Sequence, residues 1–333
     1  MGSKIIVVGG GIVGCMTALT LAQRGHQVMV VERNNIAAQT SGEASWAGAG
    51  LLFPLLPWFY KKAVNQLSLE GAARYPQICQ QLLQETGIDP EYIQSGMRIK
   101  PPYDEALAVD WCKKNQIPVE LQSGDLFLPS VGQVRNPRLM QALKQSLILH
   151  GVQLVENTQL SPIAETSEIH AWPTTSGEML EADQYVVTSG AWSFELLKET
   201  ALTLNIKPMR GQILLYQVPV NALSNIVYQD GFYLVPRRDG YLLAGSTLED
   251  VGFDTGVTEV IKQELQRKAE AIMPSLKDAP IVKHWSGLRP GTPDNMPTIA
   301  VHPTIKNLYL NTGHFRYGLT MAPASAQRVA DLV

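Results

Sequence analysis

The sequence predicts an α/β fold built from two interleaved parts, and three observations predict it. Residues 4–32 read as one βαβ unit opened by a glycine-rich turn. Residues 207–250 read as short strands separated by turn signals. The α/β segments fall at both ends and in the middle of the chain, with antiparallel-looking segments between them, so the two parts are not beads on a string. A length of 333 residues suits about two domains.

The elements follow in order. Lys4–Val8 is a continuous apolar strand of the kind buried on both faces. Ile12–Gln23 is a helix with Ile12, Met16, Leu19 and Ala22 on one face, stopped by Gly25 at C′. Gln27–Val31 is the next strand, closed by Glu32. Residues 33–58 form a long irregular loop rich in Gly, Ala, Ser and Pro, the kind that usually serves a function. Leu67–Glu85 is helical, and residues 88–134 mix short strands with one helix near Glu105–Lys114. Asn136–Leu149 is a helix with Asn136 as N-cap and Pro137 in its first turn. Gln153–Val155 and Gln184–Thr188 are strands, the second followed by Ser189-Gly190-Ala191-Trp192. Gln212–Gln217, Phe232–Val235 and Tyr241–Ala244 are short strands, with Asp239-Gly240 as a hairpin turn. Thr258–Met273 is a helix stopped by Pro274, and Pro280–Ser286 and Asn307–Asn311 are strands. Leu319–Leu332 is a last helix without a cap, as expected if the natural chain runs on.

Composition excludes several classes. Hydrophobic residues at 45% and charged residues at 17% exclude wholesale disorder. A net charge of -3 without a basic block argues against a nucleic-acid binder. Cys15, Cys79 and Cys112 make neither a disulfide framework nor a zinc pair, so no metal is expected and a reduced, cytoplasmic setting is. The apolar run after Lys4 is cut by Gly9-Gly10-Gly11, unlike a signal peptide. The greasiest segment, Leu51–Tyr60, holds Pro54 and Pro57 and is too short to span a membrane.

Gly9-Gly10-Gly11-Ile12-Val13-Gly14 fits G-x-G-x-x-G between a strand and a helix. Gly9 permits the tight turn, Gly11 admits a pyrophosphate to the backbone, and Gly14 lets helix and strand pack closely. The helix N-terminus offers N–H groups and partial positive charge to phosphates. Glu32 is placed to accept from ribose hydroxyls, which disfavours NADP, an effect Arg33 only partly offsets. The motif itself does not choose between NAD and FAD.

Three later segments resemble the D-amino-acid oxidase superfamily of flavoproteins: Ser45-Trp46-Ala47-Gly48-Ala49-Gly50, Trp285 through Asp294 (WSGLRPGTPD), and Gly313-His314-Phe315-Arg316-Tyr317-Gly318-Leu319. Within it the pattern is similar to the glycine oxidases, including Arg135-Asn136-Pro137-Arg138 and Tyr233-Leu234-Val235-Pro236-Arg237. The resemblance implies a Rossmann-like, doubly wound FAD-binding domain interleaved with an antiparallel-sheet α+β substrate domain. The expected division is 1–85, 130–205 and 285–333 for FAD, and 86–129 and 206–284 for substrate. It implies noncovalent FAD; no cysteine follows Cys112 and no histidine lies between His26 and His150 to attach it. It also implies oxidation of glycine, sarcosine or D-alanine to an imino acid with O2 reduced to peroxide, a link to thiamine thiazole synthesis, and a homo-oligomer.

The cofactor-binding residues expected on this reading are Gly9, Gly11, Ile12, Val13, Gly14, Glu32 and Arg33, with Ser45, Ala47 and Gly48 from the loop. Gly190, Trp192, Gly313, His314, Arg316, Gly318 and Leu319 complete the set. The family's carboxylate-binding arginine falls on Arg289 and its assisting tyrosine on Tyr233. Leu248 falls where glycine oxidases often carry a methionine beside the substrate, and Leu248, Phe53 and Met97 are the substrate-cavity candidates.

The residue chemistry is compatible. An arginine fork pairs both oxygens of a carboxylate, although Arg289 could instead pair with Asp294. Tyr233 either donates to the same carboxylate or sits in the core. Gly318-Leu319 opens the last helix toward flavin N1 and O2 or is an ordinary turn, and His314 and Arg316 either add positive charge or face solvent. Trp46, Trp58, Phe59 and Tyr60 line a cavity or surface patch, or pack the core. No general base stands out, which suits hydride transfer from Cα of a neutral amine. The competing readings are a secondary-amine or proline dehydrogenase with a quinone acceptor, a flavoprotein that modifies a partner protein, and an NAD-dependent dehydrogenase.

Overall fold

The computed structural model describes residues 2–40 and 42–333. Lys4–Val8 forms the middle of a six-stranded sheet ordered Thr298–Val301, Leu308–Thr312, Gln184–Val187, Lys4–Val8, Gln27–Val31, Gln153–Val155. All neighbours are parallel except the edge pair Thr298–Val301 and Leu308–Thr312. Alternate side chains of the first strand enter different cores, as the pleat requires. Ile5 and Val7 join the helices Ile12–Gln23 and Gly318–Ala330, while Ile6 and Val8 join Trp172 and Tyr185 on the other face. A strand buried on both faces must be apolar throughout, which is why the sequence reads as an unbroken run.

The second sheet has eight strands, ordered Ile281–Gly291, Lys207–Gln217, Tyr241–Gly245, Phe232–Pro236, Ile226–Gln229, Met97–Ile99, Asp125–Leu128, Glu120–Gln122. It is antiparallel apart from the Ile226–Gln229 and Met97–Ile99 pair. Tyr233, Val235 and Leu243 face one core with Phe53 and Trp285. Phe232, Leu234 and Leu242 face the other, against Leu265 and Ala269 of the helix Glu259–Ile272.

Several elements differ from expectation. The two longest strands run further than predicted, Lys207–Gln217 and Ile281–Gly291, and the second carries the sheet past residue 284. Pro208 and Pro290, neither of which can donate to a ladder, pair with each other. Each sits where its strand has a neighbour on one side only, so no ladder donor is missed. The predicted helix at Leu67 begins at Lys62. Asn136 is not the N-cap of its helix; Arg135 is. The Asn136 amide instead donates to the Ser45 carbonyl at 2.7 Å, tying the helix to the irregular loop. The small hairpin Ala171–Pro173 and Met179–Glu181 lacked an alternating pattern and was not predicted.

The irregular loop is pinned from a second side by Arg237, a buried guanidinium that donates to Ala49 O, Val134 O and Gln133 Oε1 at 2.8, 2.9 and 2.7 Å. Burial among neutral acceptors brings its pKa down to about 10, aided by Arg135. No helix of the described residues is long and apolar enough to cross a membrane.

Candidate cofactor and substrate site

A cavity of about 300 Å³ starts at the glycine-rich turn and ends at Arg289 and Tyr233. It lies outside the carboxyl ends of the parallel strands, where Val8, Glu32, Thr188 and Thr312 line it. That is the crevice in which open α/β sheets hold ligands.

Each glycine of the turn has a separate reason. Gly9 takes φ 111°, in the left-handed region, and a Cβ there would stand 3.0 Å from Ser189 and Thr188 backbone. Gly11 caps Ile12–Gln23, and a Cβ on it would narrow the gap to Ser45 Oγ to 3.0 Å. A Cβ on Gly14 would lie 1.9 Å from Gly9 O. Ser45 Oγ accepts from Ile12 N–H at 2.9 Å, so the loop meets the helix N-terminus directly. Gly9, Gly11, Ile12, Val13, Ser45, Gly48 and Gly190 line the cavity, whereas Gly14 acts through packing.

Glu32 is buried and accepts from Gly10 N–H at 2.7 Å and from Asn34 N–H at 2.9 Å. Burial first, then nearby Glu43, raise its pKa above the usual carboxylate range. Arg33 bonds Glu43 at 3.3 Å and stands over Trp192, its Cζ 3.4 Å from the ring centroid. Trp192 in turn stacks on Phe253 at 5.5 Å, so this end of the cavity has an aromatic wall.

Four expected residues stand elsewhere. Ala47 is buried outside the lining, its carbonyl accepting from Trp285 Nε1 at 3.1 Å. Gly313 bends the chain into the last turn at φ 80°, its carbonyl held by Thr292 Oγ1, but does not line the cavity. Met97 is fully buried in the core behind it. Leu248 is 43% exposed and also outside the lining, because it lies beyond the end of Tyr241–Gly245. Of the substrate-cavity candidates only Phe53 reaches the cavity. Trp46 and Trp58 pack the core, Trp46 stacked on Trp285 at 5.6 Å, while Phe59 is exposed.

His314, Arg316, Gly318 and Leu319 line the cavity from the last turn. His314 is 2% exposed and its Nε2 has no hydrogen-bond partner among the described residues. Burial pushes its pKa down to about 3, so it is neutral at physiological pH and supplies no positive charge there. Arg316 is the cation of that turn. The unfolded chain binds a proton at residue 314 between about pH 3 and the ordinary value of 6.5, and the folded chain does not. Stability therefore falls as pH drops through that window. Between pH 7 and 5 this one group should cost about 2 kcal/mol. Urea unfolding of the holoprotein at the two pH values should show the loss, and His314→Gln should show correspondingly less of it.

Arg289 projects from Ile281–Gly291 with Nη2 donating to Ser246 Oγ at 2.8 Å and Nη1 to Thr247 O at 3.1 Å. It has no carboxylate partner among the described residues; Asp294 pairs with Lys61 at 2.7 Å instead. Burial lowers the Arg289 pKa, and neighbouring Tyr233 opposes that. Tyr233 is 8% exposed and lines the same end. A desolvated guanidinium with only neutral acceptors leaves room for an incoming anion. Ser246 and Thr247 were not legible as site residues, since nothing in the sequence around them marks a contact with residue 289.

The cavity fits a flavin dinucleotide on its own features. The glycine turn and helix N-terminus suit the pyrophosphate. Three buried polar atoms of lining residues, Asn136 Oδ1, Asn311 Oδ1 and His314 Nε2, lack partners among the described residues, as expected where a ligand supplies them.

Known proteins similar to this chain point to the same cofactor. The family described as FAD dependent oxidoreductase matches residues 4–332. A glycine oxidase from Pseudomonas putida is 37% identical over 350 residues, covering 100% of this chain and 95% of that protein. A bifunctional protein ThiO/ThiG from Synechocystis is 33% identical, covering 99% of this chain and 51% of that protein. The crystal structure of glycine oxidase from Geobacillus kaustophilus superimposes with a TM-score of 0.90 at 29% identity, covering 99% of this chain and 94% of that one. The chain belongs to the FAD dependent oxidoreductase family, and its cofactor is FAD.

Proposed function

We propose that the protein is an FAD-dependent amino acid oxidase acting on glycine and small amines such as sarcosine and D-alanine. The observation that carries this is Arg289, held by neutral acceptors beside Tyr233 in the cavity of an FAD dependent oxidoreductase. FAD held at the glycine turn would supply the oxidation, with a hydride leaving Cα and a proton leaving the amine to give an imino acid, and O2 taking up both as H2O2; the imino acid then hydrolyses to keto acid and ammonia.

The chain's own residues bind and orient. Arg289 pairs both carboxylate oxygens, and Tyr233 donates a further hydrogen bond. Leu51, Phe53 and Leu55 supply an apolar wall that excludes water. The acidic lining residues Glu32, Glu43 and Glu195 belong to the end near the glycine turn, Arg33 and Trp192. No carboxylate among the described lining residues stands at the Arg289 end, so the amine reacts as the neutral form delivered from solvent.

This reading carries a cytoplasmic enzyme, supported by three buried free thiols, a homo-oligomeric state, and a place in thiamine thiazole synthesis, supported by the ThiO/ThiG similarity. The test mixes the yellow protein anaerobically with glycine, sarcosine, D-alanine and L-proline and follows the visible flavin band. Rapid bleaching by glycine or sarcosine, reversed by air with peroxide release, is expected. Bleaching by proline alone, or slow recovery in air, replaces the oxidase with a dehydrogenase.

A further inference from the structure

Two features fix the Arg289 guanidinium, and only one is a hydrogen-bonding wall. The wall is Ser246 Oγ and Thr247 O. It is braced from behind: Thr247 Oγ1 donates to Glu249, whose carboxylate also receives Arg210 at 2.7 Å and Gln212 at 3.0 Å. Burial disfavours the Glu249 carboxylate, but Arg210, Thr247 and Gln212 hold its pKa below the usual value.

The other feature is a floor. Arg289 lies opposite Met209 in the pairing of Lys207–Gln217 with Ile281–Gly291, so it faces Gly211 diagonally across the same side of the sheet. A Cβ on Gly211 would stand 2.0 Å from Nη1, 2.3 Å from Nη2 and 2.4 Å from Cζ of Arg289. These three guanidinium atoms are its nearest neighbours. The φ of Gly211 is not in the left-handed region, so the backbone makes no demand for glycine. A glycine inside a buried strand also gives up packing and chain entropy. What the missing side chain provides is space for one cation.

We propose that Gly211 is a positioning residue of the carboxylate site: its bare Cα is the surface on which Arg289 lies flat, in the plane that Ser246 and Thr247 set. The inference rests on the reading that Arg289 holds the substrate carboxylate. Arg289 and Glu249 are not adjacent in sequence to one another, yet Arg210, Gly211 and Gln212 serve both. Alternate residues of one strand brace the wall on one side and leave the floor empty on the other.

The test uses the holoprotein with acetate, a carboxylate that cannot be oxidised, followed by the flavin difference spectrum. In Gly211→Ala the methyl group must displace the guanidinium. Acetate Kd and the glycine KM are expected to rise on the order of 10–100-fold. Flavin content and the rate of bleaching at saturating glycine should change far less. Added to Arg289→Ala, the same substitution should change the acetate Kd less than about twofold, because the residue it displaces is gone. An unchanged acetate Kd in Gly211→Ala overturns the proposal. An unchanged Kd in Arg289→Ala overturns the carboxylate reading beneath it, a separate result. Should Gly211→Ala fail to fold, folding of the Arg289→Ala/Gly211→Ala double variant supports the proposal, since the clash is then with Arg289 alone. Failure of both shows that glycine is needed for another reason and overturns it.

Discussion

Arg289→Ala should raise the glycine concentration needed for half-maximal flavin reduction by roughly 30-fold to several thousand-fold, the equivalent of about 2–5 kcal/mol. The range follows from what is lost. A carboxylate entering this end of the cavity leaves water, and the guanidinium replaces that water with two parallel charge-assisted bonds. Without it, the buried anion loses both bonds of the fork and keeps the donor from Tyr233. Arg289→Lys should fall between the two, since an ammonium keeps the charge but not the fork. Flavin content should stay near native in both, because Arg289 bonds Ser246 and Thr247 and not the glycine turn. Anaerobic titration with glycine measures the effect. A change below about threefold for Arg289→Ala would place the carboxylate elsewhere.

Gly14→Ala should give a protein that purifies largely colourless. The new methyl would be 1.9 Å from Gly9 O and 2.6 Å from Thr188 Oγ1. The first of these is backbone in the turn itself, so the clash can be relieved only by lifting Ile12–Gln23 off its strand. Overpacking of this kind costs about 1–3 kcal/mol in folding. The greater effect is on the ligand, because the amides that face the pyrophosphate move with the helix. FAD titration of the apoprotein should show a Kd raised by about two orders of magnitude or more. Gly25→Ala is the control. It strains a positive φ of 89° but has open space around it, so stability should fall by about 1 kcal/mol while FAD affinity holds.

What the sequence revealed depended on how local the cause was. Lys4–Val8, Ile12–Gln23, Glu105–Lys114 and Asn136–Leu149 match their predicted bounds because periodicity and turn residues within each segment determine them. The glycine turn was legible for the same reason, its three glycines answering constraints set by the strand and helix beside it. The strand expected at Gln212–Gln217 extends back to Lys207, because the added residues, Pro208 among them, pair only with Ile281–Gly291, a partner that lies far off in the sequence. Asn136 looked like a cap because an asparagine before a proline satisfies that role locally, whereas its partner is Ser45. Arg289 and Tyr233 came through resemblance. The residues that place Arg289 did not, because Ser246, Thr247 and Gly211 touch it only after two strands have paired. His314 is expected from sequence either to add positive charge or to face solvent; burial makes it neutral, and it does neither.

The order of strands in the first sheet also governs when the protein can acquire its shape during synthesis. Leu308–Thr312 sits beside Gln184–Val187, and Gly318–Ala330 covers the helix that follows the first strand. A nascent chain that has emerged only as far as residue 290 therefore leaves Val186, Leu19 and Met16 without the part of their cover that the last strand and helix provide. Contacts this distant along the chain make for slow closure and a long interval of stickiness. Expression at lower temperature, or with chaperones in excess, should raise the soluble yield more than it does for a chain whose sheets are completed in order.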